Sequence, residues 1–182
     1  MKREALLAAG ILLWASPSAA EPFGIFQRFC LETQGVPRVV EQLAVEAGWV
    51  PETRPAVQPE LNMIRMVDPA TTEASIPTGL ITGRLPPFRG LSAETCSVTT
   101  PALRSELIES MNSWAGFDAD QTGRSPMWVF TRSPDGVQQQ PDLAGANGAA
   151  LMAAARTRGP LFQVVLQEAS VGPVLIQIRI AP

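Results

Sequence analysis

Two strongly alternating apolar runs close the chain, and they constrain its fold more than any other stretch. Phe162, Val164 and Leu166 alternate with Gln163, Val165 and Gln167; Val174, Ile176, Ile178 and Ile180 then alternate with Leu175, Gln177 and Arg179. A period of two residues is that of a strand with one face buried, and the short interruption at 169–172 predicts a β-hairpin with a single buried face. An antiparallel sheet is therefore the expected frame.

Earlier segments supply more of it. Leu80-Ile81-Thr82 is predicted as a strand stopped by Pro86-Pro87, which lack the N–H a sheet interior needs. Residues 94–99 alternate, with Cys96 and Val98 inward, and Met127-Trp128-Val129-Phe130 is apolar on both faces, as an interior strand is. Leu61 to Met66 is an apolar run whose type the pattern does not decide. Three prolines within 51–59 predict an extended connection, and Ser133-Pro134-Asp135-Gly136 a turn.

Helices punctuate the strands. Phe23, Phe26, Phe29 and Cys30 share one helical face, and a second helix starts at Pro37, repeats apolar residues from Val36 to Ala47, and stops at Gly48 before Trp49. Joined at Thr33-Gln34-Gly35, the two predict an αα-hairpin. A third helix from Pro101, capped by Thr100, carries Leu103, Leu107, Ile108, Met111 and Trp114 on its apolar face and ends at Gly116; alanine-rich residues 148–156 predict a fourth. The expected fold is one α+β domain: an N-terminal helical hairpin, then a mainly antiparallel sheet of about five strands with helices packed on one face.

The first twenty residues read as an export signal. Lys2 and Arg3 precede an apolar stretch at 5–15 that is too short to span a bilayer, and Ser18-Ala19-Ala20 offers small residues for cleavage after Ala20. The expected organisation is a signal peptide at 1–20 and a single domain at 21–182. Lys2, the only lysine, leaves with the signal; 12 basic and 16 acidic side chains remain, giving a formal charge of −4. Neither a nucleic-acid footprint nor a polybasic membrane patch is present, and no transmembrane segment is expected after cleavage. A periplasmic or secreted address follows. In an oxidising compartment Cys30 and Cys96 are expected to form a disulfide closing a 66-residue loop; a redox-active pair would be expected as Cys-x-x-Cys.

The chain contains no histidine and no tyrosine. This removes the usual general base of nucleophilic catalysis and the commonest nitrogen ligand of metals, and two cysteines cannot close a four-thiolate zinc site. No cofactor is expected. Asp118-x-Asp120-x-Thr122-Gly123 carries the oxygen ligands and turn glycine that open a calcium loop, but Val129 stands where the bidentate glutamate belongs, and an ordinary helix-to-strand turn accounts for the same residues.

Phe26-x-x-Phe29-Cys30-x-x-Thr33-x-Gly35, followed by Ala44-x-x-x-Gly48-Trp49, resembles the N-terminal signature of a family of small exported proteobacterial proteins without assigned activity. The resemblance implies a shared fold and a periplasmic address and brings no catalytic residue with it. Physically these positions read as aromatic core, disulfide half, turn glycine and helix stop. Two functions stay open: a non-catalytic binding or envelope interaction protein, its partner a periplasmic protein or small ligand, and a small hydrolase using Asp118 and Asp120 as acid and base.

Overall fold

The computed structural model describes residues 22–52, 63–71, 78–88 and 91–181. The residues expected to form an export signal and most of the proline-rich connection lie outside these residues. Among the described residues eight strands form one fully antiparallel sheet: β1 (Val50–Pro51), β2 (Met63–Val67), β3 (Gly79–Phe88), β4 (Leu91–Thr99), β5 (Met127–Ser133), β6 (Gly136–Gln139), β7 (Leu161–Ala169) and β8 (Gly172–Ala181), in the order β1-β2-β3-β4-β8-β7-β5-β6. The fold is α+β as expected, but eight strands replace the expected five. The additional three lie at or next to the sheet edges, where short strands need little apolar patterning.

Among the described residues four α-helices accompany the sheet: α1 (Pro22–Phe26), α2 (Pro37–Glu46), α3 (Arg104–Ala115) and α4 (Gly148–Arg158). The expected N-terminal hairpin of two regular helices is corrected. After five residues α1 widens into a π-helix at Gln27–Leu31, with Glu32 N–H donating to the Gln27 carbonyl and Gly35 N–H to that of Cys30. Phe29, Cys30 and Leu31 are all buried there, a run of three that one narrow stripe of an α-helix does not hide. At the other end of α2, Gly48 adopts φ +86° and Trp49 N–H reaches back to the Ala44 carbonyl, a Schellman-type stop. Helix α3 begins three residues later than expected; Leu103 is exposed, and Gly116 in the left-handed region ends the helix.

Register decides what each face of the sheet carries. Strands β7 and β8 meet through a two-residue turn, Ser170-Val171, with Ala169 opposite Gly172, so Phe162 faces Arg179, Val164 faces Gln177 and Leu166 faces Leu175. The two apolar runs of this hairpin therefore point to opposite sides, which corrects the single buried face expected. On the first face Trp128, Phe130, Phe162, Val164 and Leu166 join Cys96 and Val98 beneath α1, the π-helix, α2 and α3. On the second, Ile178, Ile180, Val129 and Leu161 meet Leu151, Ala154 and Ala155 of α4. Helices thus lie on both faces rather than one. A sheet whose pleat is apolar on both sides needs a cover on each.

Strand β3 also runs through Pro86-Pro87 instead of stopping there. Its register with β4 slips between Leu85 and Phe88, so the missing proline N–H groups fall in an irregular stretch of the ladder.

Candidate functional site

The motif residues at the N-terminus assemble around a disulfide. Cys30 and Cys96 are bonded with their Cα atoms 5.4 Å apart, and neither has any exposed surface. Phe26 is fully buried, and Phe29 packs edge-on against Trp49 with ring centres 5.2 Å apart. Thr33 donates its hydroxyl to the Phe29 carbonyl at 2.6 Å and accepts the Gly35 N–H at 3.2 Å, fixing the turn. Gly35 has φ +68°, and a Cβ there would meet the Gln177 amide nitrogen at 2.7 Å. Arg132 on β5 donates to the Leu31 carbonyl and lies 5.6 Å from the Trp114 ring, tying the π-helix to the sheet. All of this is architecture. Nothing reactive is presented to solvent.

Asp118 and Asp120 sit in the link from α3 to β5. Asp118 accepts from the Asn112 side-chain amide at 2.9 Å, while Asp120 accepts the Thr122 backbone N–H at 2.9 Å and pairs through its own backbone with Met127. That N–H, then the Thr122 hydroxyl, holds the Asp120 carboxyl below the usual carboxylate range. A general acid would need the opposite shift. Val129, at the twelfth position of the calcium-loop pattern, is buried in β5, and no group of three or more acidic, cysteine or histidine side chains is gathered among the described residues. The chain turns here by Asx geometry.

The recess that could receive a ligand lies elsewhere, on the second face of the sheet. It has a volume of about 570 Å³ and opens between the first turns of α4 and the ends of β3, β4, β8 and β7. Ala93, Ile178, Ile180 and Gln163 contribute from the sheet, with Pro86 at the irregular end of β3. Asn147, Ala149, Leu151 and Met152 contribute from α4 and its start. Asn147 caps that helix by accepting the Ala150 N–H at 3.0 Å, and at the other end of α4 Arg158 pairs with Asp142 at 2.6 Å.

The recess exists because small residues oppose large ones. Ala93 stands directly opposite Ile180 in the β4–β8 ladder, and Gly148 and Ala149 open the helix above, so neither side fills the gap. No charged residue lines it among the described residues. Strand alternation explains why: Arg84, Glu94 and Arg179 all point to the first face, where Glu94 accepts from Arg84 at 3.3 Å and from Arg179 at 2.7 Å. None of the candidate site residues named from the sequence belongs to this recess, although Gln163, Ile178 and Ile180 of the closing strands line it. The two-residue turn at Ser170-Val171 carried the missing signal, since its length sends the isoleucine row to the face opposite Phe162.

Among the described residues no helix is long and apolar enough to cross a membrane. No protein-family model, curated protein or solved structure matches this chain.

Proposed function

We propose that this chain is an exported, periplasmic or secreted, non-catalytic binding protein, kin to the small exported proteobacterial family its N-terminal motif resembles, and that it binds a small apolar molecule in the recess beneath α4. One observation carries the reading: a largely apolar recess of about 570 Å³, with a few polar groups at its margin, lies on a sheet face only partly covered by helix. Volumes of about 300–1,000 Å³ with such linings are those of small-molecule sites. Export agrees with the positive, then apolar, then small-residue order of 1–20 and with the disulfide.

The test is titration of the disulfide-bonded protein with Nile red, an uncharged dye that brightens in apolar surroundings. Saturable brightening is expected, and its loss in Ala149→Trp, where an exposed helix position is filled by a ring that occupies the recess. An unchanged response in that variant, with circular dichroism showing it folded, or no saturable response from the native chain, defeats the reading.

A further inference from the structure

Resting on that reading, we infer that the recess takes an uncharged, elongated amphiphile, of the class of single-chain alcohols and their neutral esters, with its polar end at Gln163 and its apolar chain running across β8 and β4 toward Pro86. Pro86, Ala93, Ile178 with Ile180, and Gln163 line the recess from four successive strands, β3, β4, β8 and β7. Three strand spacings make this floor about 14 Å long, a channel for a chain rather than a bowl for a compact molecule.

Charge selects within that class. The ionised groups of the neighbouring strands point to the other face, and Arg158, in the last turn of α4, is engaged by Asp142. A carboxylate or ammonium entering the recess would lose water and meet no counter-charge among the described lining residues, a heavier cost than burying a hydroxyl. The start of α4 carries the partial positive charge of a helix end, but this favours an anion by about fivefold in affinity at an exposed end and about thirtyfold at a partly buried one, less than the cost of burying an unpaired charge. The neutral ligand wins.

Gln163 reads the polar end. It is half-buried among Ile178, Met152 and Met127, and its side-chain N–H donates to the Met127 sulfur. A thioether is a weak acceptor, so a ligand hydroxyl or carbonyl replaces it readily. Among the described residues Gln163 is the only amide in the sheet part of the lining, where the Ser92 hydroxyl already donates to the Ala181 carbonyl, and it thus holds a donor in reserve at one end of a largely apolar floor.

Displacement of bound Nile red by decanol, decanoate and decylamine at pH 7 tests this. Decanol is expected to displace the dye at concentrations at least tenfold below the two ions. Gln163→Leu is expected to weaken decanol by roughly three- to tenfold, the worth of one hydrogen bond, once displacement is corrected for the dye affinity measured on the variant itself. Dye binding with decanoate or decylamine as effective as decanol overturns the inference and leaves the binding reading standing; so does a Gln163→Leu protein that holds decanol as tightly as the native chain. Absence of saturable dye binding to the native protein overturns both.

Discussion

The indole N–H of Trp128, a residue with no exposed surface, donates to the side-chain oxygen of Asn112 at 2.9 Å. The same oxygen accepts the Ala119 N–H at 3.0 Å, and the amide nitrogen of Asn112 donates to Asp118. One side chain near the end of α3 thereby joins a helix, the following loop and an inner strand. Replacing it by alanine leaves the Trp128 donor buried and unmet. Asn112→Ala is expected to lose about 1–3 kcal/mol in urea unfolding, with tryptophan fluorescence following the change. Asn112→Asp, which keeps the acceptor but sets a second carboxylate against Asp118, is also expected to destabilise. Unfolding midpoints for both variants equal to that of the native chain would exclude the network as a stabilising element.

The Cys30–Cys96 bond restricts the unfolded chain across a 66-residue separation. A protein carrying Cys30→Ala and Cys96→Ala is expected to be less stable by roughly 4 kcal/mol on the chain-entropy account. Chemical denaturation of both forms measures the difference, and coincident curves would refute it.

Gly35 and Gly48 both adopt positive φ, yet only Gly35 is crowded. Gly48→Ala is expected to cost about 1 kcal/mol from backbone strain alone, the lower end of the range for a left-handed residue. Gly35→Ala must in addition push the Gln177 amide aside inside a close-packed region, so its loss is expected to be the larger of the two. Thermal unfolding of the pair decides; an equal loss would show that the amide yields without resistance.

Asp142 is held below the ordinary carboxylate range, first by its hydrogen bond with Arg158. A carboxyl with a lowered folded-state pKa contributes stability above its unfolded value and loses it as pH falls through the folded one. The gap in thermal midpoint between the native chain and Asp142→Asn should therefore be present near pH 6 and close on acidification below the usual carboxylate pKa. Because the pair is exposed, added salt should narrow the gap as well. A gap that persists unchanged at low pH would mean the contact acts through packing instead.

The central strands, the helix stops at Gly48 and Gly116 and the cysteine pairing were all legible, because each rests on a local pattern or a forced partnership. Strand β2 was not: Met63-Ile64-Arg65-Met66-Val67 interrupts apolar residues with a single arginine, which suits strand and helix alike until β3 lies beside it. Strand β6 follows a turn that was recognised at Pro134-Asp135, but Val137-Gln138-Gln139 carries too little apolar pattern to announce a returning strand. The π-helix depends on Cys30 meeting Cys96 while its neighbours are also buried, which is a tertiary demand. The recess was the least visible feature. Its lining comes from four strands and a helix, and no residue in it bears chemistry that stands out in a sequence.

A single sheet here separates two interiors that share almost no side chains, one cross-linked and ringed with aromatics, the other aliphatic and left open at an edge. Substitutions in the two interiors are expected to add in their effects on stability where they share no partners. A change in the shape of the recess therefore carries the cost of its own lining, with little added loss of packing around the disulfide. A scaffold divided in this way is suited to descendants that keep one architecture while changing the shape of one interior.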